Sequence, residues 1–288
     1  MKILVTGATG KLGSMVVETL LKSVPAEQMV VSVRTPEKAE AFRSRGVEVR
    51  QGDFDRPETL DAAFTGIDRL LLISTDGDNE TRIRQHAAAV AAAQRAEVGF
   101  IAYTSVGNAS ESSLFLAPVH RATEEAIRKT GIPFCFLRNN WYLENESGTI
   151  QAVLVGAPWV TSAGSGKVGW APRRDYADAA AAILIGNGHE NTVYELSGKP
   201  MAQEELAATL AGVLGREVPV LQVDDAGYAD MMKNAGVPEP VVPFLVAIQH
   251  DIRAGTLEIE SNDFEKLLGR PVTPISEALR AMVTEMHK

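Results

Sequence analysis

The chain has 288 residues, 45% of them hydrophobic and 23% charged, which are ordinary proportions for a globular protein. Its formal net charge of -9 argues against binding to the phosphate backbone of nucleic acid, because proteins of that class usually present a basic surface. We therefore predict no nucleic-acid partner.

Short apolar runs alternate with segments of helical periodicity through the first half of the chain. Fully apolar strands of this kind are typical of a parallel sheet that is covered by helices on both faces. The predicted fold is therefore α/β, a doubly wound (Rossmann) sheet, with residues 1–145 as its nucleotide-binding domain. The predicted strands are residues 3–5, 29–33, 47–50, 68–73, 99–104 and 133–138.

The pattern becomes less regular after residue 145. Residues 193–198 predict one more strand, and Asp175 is predicted to cap the helix that follows it, because a carboxylate accepts hydrogen bonds from free N-terminal amides. Residues 146–288 are therefore expected to supply the remaining strands and a small, mainly helical substrate lobe packed closely on the first domain. The helices predicted for this lobe are 202–214, 225–235 and 240–253.

No apolar run reaches the roughly 18 residues that span a bilayer, so we expect no membrane partner. Glycines near the N-terminus interrupt the apolar stretch that a signal peptide would need. Cys135, the single cysteine, can form no internal disulfide and lies in an apolar run, which favours a buried thiol over a reactive one. A cytoplasmic location is predicted.

A glycine-rich turn, Gly7-Ala8-Thr9-Gly10-Lys11-Leu12-Gly13, joins the first strand to the first helix. Glycines at these positions allow a tight turn, close approach of a pyrophosphate and close helix packing, while the helix N-terminus offers free amides. A purely structural turn is the alternative, but the strand-turn-helix context favours a dinucleotide. The residues predicted to hold the pyrophosphate are Gly7, Thr9, Gly10, Lys11 and Leu12.

The end of the second strand distinguishes between two cofactors. An NAD site usually places an acidic residue there, against the ribose 2′-hydroxyl. This chain has Arg34 instead, with Lys38 nearby, and a guanidinium fork suits a 2′-phosphate. An ordinary exposed basic residue is the other interpretation, but the sequence favours NADPH.

Further cofactor contacts are predicted where later strands end, because strand ends line the crevice in this topology. Asp53 would accept from the adenine amino group and Phe54 would pack on its ring, although an aspartate that only stabilises a turn explains Asp53 equally well. Ser74 and Thr104 are expected to approach the nicotinamide ribose.

Several motifs together identify a family: TGATGKLG, VSVRTPEKA, GDF, LLLIS, FIAYTS, VHRATEEAI, LRNNWYLEN and, further on, AGSGKV, RRDYADAAAA and HENTVYELSG. With them the chain resembles the NmrA-like atypical short-chain dehydrogenase/reductases over nearly its whole length. Within that family it is most similar to the bacterial NADPH:quinone oxidoreductases and triphenylmethane reductases. The resemblance implies a Rossmann fold, NADPH and reductase activity, but the family also contains redox-sensing regulators.

The chain lacks the Tyr and Lys, four residues apart, with which short-chain dehydrogenases reduce simple carbonyls. Leu116 and His120 stand in their places. Ordinary ketone reduction is disfavoured, because it needs a proton donor as charge grows on oxygen. A quinone needs less help, since hydride addition gives a resonance-stabilised hydroquinone anion. The predicted reaction is hydride transfer from NADPH to a quinone or a similar electron-poor conjugated acceptor.

Four residues are predicted to face that acceptor. His120 would bond the ribose or a quinone oxygen, or else be a half-buried histidine with a local partner. Asn140, Trp141 and Tyr142 follow the sixth strand at the substrate edge of the sheet, although the aromatic pair would also suit a core. No histidine has the acidic partners and spacing of a zinc ligand, so no metal is expected.

Two rival functions differ in class from this prediction. A regulator would bind NADP and a protein partner without turnover. A sugar-nucleotide epimerase is the second rival, and the missing Tyr and Lys argue against it. A homo-oligomer is compatible with the sequence but not indicated by it.

Overall fold

The computed structural model describes residues 1–287 and is built around a parallel sheet of seven strands. Their order across the sheet is β3-β2-β1-β4-β5-β6-β9. Successive strands are therefore added on one side of β1 up to β3, and on its other side from β4 onward. This arrangement confirms the predicted doubly wound fold. The strands are β1 Ile3–Thr6, β2 Met29–Val33, β3 Glu48–Gln51, β4 Arg69–Leu72, β5 Phe100–Val106, β6 Phe134–Asn139 and β9 Thr192–Leu196.

Helices cover both faces of this sheet, which explains why β1, β2, β5 and β6 are buried along their whole length. The helices are α1 Lys11–Leu20, α2 Glu40–Arg43, α3 Leu60–Phe64, α4 Asn79–Arg95, α5 Ala117–Thr130, α6 Ser147–Leu154, α7 Arg173–Ile185, α8 Gln203–Leu214, α9 Asp225–Asn234, α10 Val242–Arg253, α11 Asp263–Leu268 and α12 Ile275–Met286. One apolar core joins the sheet to α1, α7 and α11, and another joins it to α3, α4 and α5.

A third apolar core lies in the lobe formed by the second half of the chain, under α6, α8, α10 and α12. Four short strands complete this lobe: β7 Trp159–Thr161, β8 Lys167–Val168, β10 Met201–Ala202 and β11 Val220–Gln222. The strand β9 and the helix α7, which packs on α1, return to the main sheet. The division of the chain between residues 145 and 146 stays a prediction.

The structure corrects the predicted role of Asp175. The helix α7 begins at Arg173, so Asp175 lies within its first turn, and its buried carboxylate bonds to Arg270 and Thr273 instead of capping the helix. The Arg173 amide donates to both carboxylate oxygens of Glu144, at 2.9 Å each, so Glu144 takes the capping role. An aspartate near a helix start fits both roles in the sequence, and only tertiary contacts distinguish them.

Other expectations concern burial and absences. Cys135 is buried, as predicted, and burial raises the pKa of its thiol to about 12. Within residues 1–287, no helix is long and apolar enough to cross a membrane. In the same part of the chain, no three His, Cys, Asp or Glu side chains are grouped as metal ligands.

Candidate cofactor and acceptor site

The glycine turn leaves β1 and enters α1 with the geometry that a phosphate site needs. Gly7 has a φ of +59°, which only glycine adopts without strain, and α1 starts directly after Gly10. A Cβ at Gly13 would lie 2.3 Å from the carbonyl oxygen of Gly7, so helix and turn pack in contact. No side chain caps α1, so its first amides stay free for an anion.

The exposure of the turn shows how each predicted residue can reach a ligand. Gly7, Thr9, Gly10 and Lys11 are exposed, so both backbone and side chains are available there. The Leu12 side chain is 8% exposed and packs in the core, which leaves only its amide for a phosphate oxygen. The structure therefore brings these residues together on one open surface, while their contacts with a cofactor stay a prediction.

Arg34 and Lys38 are exposed beside the end of β2. The neighbouring strand β3 reaches this position, because Gln51 Nε2 donates to the Arg34 carbonyl oxygen at 3.4 Å. Bonds from Arg84 and Gln85 lower the pKa of Asp55, and the Arg34 charge adds to this effect. The Arg34 guanidinium therefore lies near the loop that follows β3, where the adenosine end of a dinucleotide is expected.

Asp53 and Phe54 lie in that loop and are half-buried. The Asp53 carboxylate accepts from the Asp55 amide at 3.0 Å. This bond stabilises the turn, which is the alternative role that the sequence allowed for Asp53. Phe54 packs against the core formed by the sheet, α3, α4 and α5. One oxygen of Asp53 is thus engaged within the loop, and the adenine contact predicted for both residues stays a prediction.

Ser74 and Thr104 join the ends of β4 and β5. The Ser74 amide donates to Thr104 Oγ1 at 2.9 Å, and the Thr104 hydroxyl donates to Ser74 Oγ at 3.4 Å. Ser74 is half-buried, whereas Thr104 is only 2% exposed. Of the two, Ser74 is the residue open to a ribose, and Thr104 fixes its position.

His120 lies at the start of α5 with 5% of its surface exposed, in a buried polar network. Its Nε2 faces Arg82 Nη2 at 3.3 Å, and its Nδ1 faces the Tyr103 hydroxyl at 2.9 Å. Burial first, and then the Arg82 charge, holds the pKa of the imidazole well below its usual range. His120 is therefore a neutral imidazole whose two nitrogens both have side-chain partners.

A second histidine continues this network one turn further along α4. The Thr75 amide donates to His86 Nε2 at 2.9 Å, and His86 Nδ1 lies 2.9 Å from Thr123 Oγ1. Because Nε2 accepts, the ring proton lies on Nδ1 and is donated to Thr123. Burial, with the Arg82 charge, lowers the pKa of His86 to about 3. The loop after β4 is thereby tied to both helices.

Asn140, Trp141 and Tyr142 follow β6 at the carboxyl edge of the sheet, as predicted. The buried Asn140 donates through Nδ2 to Ser197 Oγ and to the Leu257 carbonyl oxygen, at 3.0 Å each. These bonds tie the end of β6 to the C-terminal lobe. Its Oδ1 is buried without a partner within residues 1–287.

Trp141 and Tyr142 are half-buried, so both combine packing with an accessible edge. The Tyr142 hydroxyl accepts from Asn139 Nδ2 at 3.0 Å, and its ring packs against Tyr176 and under the Arg173 guanidinium. Burial raises the pKa of the Tyr142 phenol, so this hydroxyl is neutral at physiological pH. A role for these aromatic residues toward an acceptor stays a prediction.

Glu146 is a buried acid of the C-terminal lobe that was not predicted as a site residue from the sequence. It is 9% exposed, and Trp170 Nε1 donates to its Oε1 at 3.1 Å. Burial raises the pKa of this carboxyl to about 7. Hydrogen bonds from the Trp170 and Trp141 indoles lower it, but by less than burial raises it. Glu146 therefore changes charge near neutral pH.

Comparison with known proteins places this geometry in a family. The sequence profile of the NmrA-like family matches residues 1–259. The chain belongs to the NmrA-like family. This confirms the resemblance found in the sequence motifs.

Two known reductases match this chain over nearly its full length. It is 39% identical over 278 residues to quinone oxidoreductase 2 of Escherichia coli (strain K12), covering 96% of this chain and 97% of the relative. It is 29% identical over 286 residues to the NAD(P)H azoreductase of Xenophilus azovorans, covering 97% of each chain.

Solved NmrA-like structures share the fold closely. The triphenylmethane reductase of Citrobacter sp., solved with NADP(H), has a TM-score of 0.95 and 43% identity and covers 98% of this chain and 100% of its own. The NADPH-dependent quinone oxidoreductase of E. coli, solved with NADPH, has a TM-score of 0.93 and 39% identity and covers 98% of this chain and 99% of its own.

The buried network around Arg82 was not found in the sequence, although a signal for it exists. Arg82 and His86 stand four residues apart in the polar first half of α4, and His120 and Thr123 stand three apart on α5. Both spacings place the two side chains on one helix face. Polar pairs on the facing sides of two packed helices therefore indicate a buried network, once the packing of the helices is known.

Proposed function

We propose that this chain is an NADPH-dependent reductase that transfers hydride to a quinone or a similar electron-poor conjugated acceptor. The observation that carries the proposal is the open glycine turn with uncapped amides, followed by Arg34 at the end of β2. Full-length similarity to a quinone oxidoreductase and to two reductases that act on other conjugated compounds supports it.

The residues present fit NADPH. Gly10 leaves room in the turn where a Cβ would stand 3.1 Å from the Gly7 carbonyl oxygen, and the first amides of α1 are free. In this proposal the turn and Lys11 hold the pyrophosphate, and Arg34 with Lys38 holds the 2′-phosphate. Asp53 and Phe54 face adenine, while Ser74, supported by Thr104, faces the ribose.

The acceptor is proposed to lie at the end of β6, between Tyr142, Trp141 and the loop after β4. NADPH supplies a hydride there, and the overall reaction consumes one proton to give NADP⁺ and a hydroquinone. The side chains bind and orient the flat ring and exclude water. No Tyr-Lys pair occupies the usual position, where Leu116 and His120 stand, which favours acceptors that are electrophilic in themselves.

The test is NADPH oxidation with 1,4-benzoquinone as acceptor, corrected for the uncatalysed rate, beside cyclohexanone of similar size. We expect saturable turnover with the quinone and none above background with the ketone. Equal turnover of the ketone would contradict the acceptor class. Tight NADPH binding without turnover of any quinone would contradict the reductase function and favour a regulator that binds NADP without turnover.

A cytoplasmic location is also part of this proposal. The buried single thiol suits a reducing compartment. Homo-oligomerisation stays open to measurement by light scattering of the purified protein.

A further inference from the structure

Arg82 is a buried cation that forms no salt bridge within residues 1–287. Its side chain lies on the first turn of α4 with 6% of its surface exposed, and burial lowers the pKa of the guanidinium while the charge of the nearby Asp76 raises it. Its one hydrogen bond in this part of the chain goes to His120, and its Nε is buried without a partner. Buried charges are normally paired, so an unpaired guanidinium suggests an anion that arrives with a ligand.

Arg82 lies at the carboxyl edge of the sheet, where the strand ends line the crevice. The helix α4 runs back from the end of β4, and Arg82 is its fourth residue, which places it within roughly 6 Å of the helix start. One turn further along α4, His86 lies on the same helix face as Arg82 and accepts from the Thr75 amide, so this face lies against the loop after β4. Arg82 therefore lies beside that loop, where the acceptor is proposed to bind.

His120 holds Arg82 in this place. A guanidinium only donates hydrogen bonds, so His120 Nε2 accepts from Arg82 and the ring proton lies on Nδ1, directed to the Tyr103 hydroxyl. In this arrangement His120 has no N–H left for a ligand. The remaining donors of the Arg82 guanidinium are the ones available to an acceptor.

We propose that Arg82 stabilises the negative charge that forms on the acceptor oxygen during hydride transfer, with His120 as its positioning residue. This inference rests on the proposed reductase function. The acceptor gains two electrons and one hydrogen as hydride, its ring becomes a hydroquinone monoanion, and a proton from water completes the hydroquinone. Arg82 stays protonated throughout and donates hydrogen bonds to the anion.

A buried cation suits this role for two reasons. Its field is weakly screened by water, and its orientation is fixed before the reaction begins. Removing a preorganised donor from an oxyanion site costs roughly 100- to 1,000-fold in kcat in other enzymes. The same guanidinium would also bind a preformed anion of the acceptor's shape more tightly than its neutral counterpart.

The binding test compares two ligands with the same ring system, measured on the NADP⁺ complex by fluorescence titration. 2-Hydroxy-1,4-naphthoquinone is an anion at neutral pH, and 2-methyl-1,4-naphthoquinone is neutral. Arg82→Met should weaken binding of the anion roughly tenfold or more and change binding of the neutral quinone less than about twofold. Arg84→Met is the matched control, because Arg84 is exposed on the same helix and bonds to Asp55.

Kinetics and a conservative series complete the test. Arg82→Met should lower kcat for 2-methyl-1,4-naphthoquinone roughly 100-fold with little change in KM or in NADPH affinity. Arg82→Lys keeps the charge and should retain part of the anion preference, which keeps the test usable if the methionine variant does not fold. His120→Gln, which keeps an acceptor for Arg82, should retain more of the preference than His120→Ala.

Several outcomes would overturn the inference. One is a preference for the anionic ligand that survives in both Arg82 variants. Another is an equal loss of affinity for the anionic and the neutral naphthoquinone. Loss of NADPH affinity instead would assign Arg82 to the cofactor. Failure of the proposed function is a separate result, because it appears as absent turnover in the unmutated protein, whereas the titrations need no turnover.

Discussion

In the proposed site the choice of cofactor depends mainly on Arg34, because no carboxylate stands directly at the end of β2 to bind a free 2′-hydroxyl. We expect NADPH to bind at least tenfold more tightly than NADH, since a charged fork on a phosphate contributes about 1.5 to 3 kcal/mol. Arg34→Ala should remove most of this preference and leave NADH affinity nearly unchanged. Isothermal titration measures both constants.

The control for this change is Arg43→Ala, which removes an exposed arginine that pairs with Glu40 on α2. It should leave the preference for NADPH intact. Equal affinities of the unmutated protein for both nucleotides would refute the role of Arg34.

Two glycines of the turn separate binding from folding. Gly10→Val should abolish NADPH binding and leave most of the stability, because Gly10 is exposed with an ordinary φ of -83°. Gly13→Ala should lower the free energy of unfolding by about 1 to 3 kcal/mol or more, because its Cβ would lie 2.3 Å from backbone of Gly7. Urea unfolding and NADPH titration of both variants provide the measurement.

The two variants control each other. A Gly10→Val protein that binds NADPH normally would contradict the phosphate site. A Gly13→Ala protein of undiminished stability would show that the helix moves away from the turn at little cost.

At the scale of elements, α7 is joined to the C-terminal segment by two carboxylates, Asp175 and Asp178, which both accept from Arg270 Nη2. Asp175 is fully buried and accepts from Arg270 Nη2 at 2.7 Å, from the Thr273 amide at 2.7 Å and from its hydroxyl at 3.0 Å. Asp175→Ala leaves the Thr273 amide and hydroxyl without their acceptor, while Arg270 keeps Asp178, so we expect a loss of about 1 to 3 kcal/mol in the free energy of unfolding. Urea denaturation followed by circular dichroism measures it.

Asp230→Ala is the matched control, because Asp230 is an exposed helical aspartate paired with Lys233. It should change the free energy of unfolding by less than about 0.5 kcal/mol. A loss for Asp175→Ala no larger than that of the control would show that the three bonds contribute no net stability.

Most elements of the sheet were predictable, because each buried strand is a short apolar run bordered by turn residues. The strand Thr192–Leu196 was also found, and the helices starting at Gln203, Asp225 and Val242 begin within two residues of the predictions. The helices Asp263–Leu268 and Ile275–Met286 were missed, because they are short or amphipathic segments that tertiary packing stabilises, the first against α7 and β9 and the second within the lobe. Among site features, the glycine turn was visible locally, whereas the Arg82 network depends on two helices meeting.

At the scale of the whole molecule, buried titratable groups set opposite limits on stability against pH. The pKa of Glu146 is raised to about 7 from its ordinary value of 4.5, so the unfolded chain loses a proton first and stability falls as pH rises from about 4.5 to about 7. The pKa values of His86 and His120 are lowered from 6.5, so their contribution is present above pH 6.5 and is lost as pH falls below it.

Glu146→Gln isolates the first of these effects. The stability of the unmutated protein minus that of the variant should fall by about 3 kcal/mol between pH 4.5 and pH 7.5. Glu125→Gln serves as the control: the Lys129 hydrogen bond lowers the pKa of Glu125, so its contribution is lost only below pH 4.5 and its difference should be nearly flat from pH 4.5 to pH 7.5. Urea unfolding across this pH range measures both differences, and a flat difference for Glu146→Gln would refute its raised pKa.

The bond from Asn140 to the Leu257 carbonyl, together with the contacts of Asp175 to Arg270 and Thr273, has a consequence for biosynthesis. The ribosome makes the glycine turn well before these residues, and nascent chains acquire structure from the N-terminus. The proposed nucleotide half of the crevice can thus form while the later residues are still being made. The proposed acceptor half is completed only after residues 257–273 have emerged, so a polypeptide stalled before residue 257 should bind NADPH without a finished place for an acceptor.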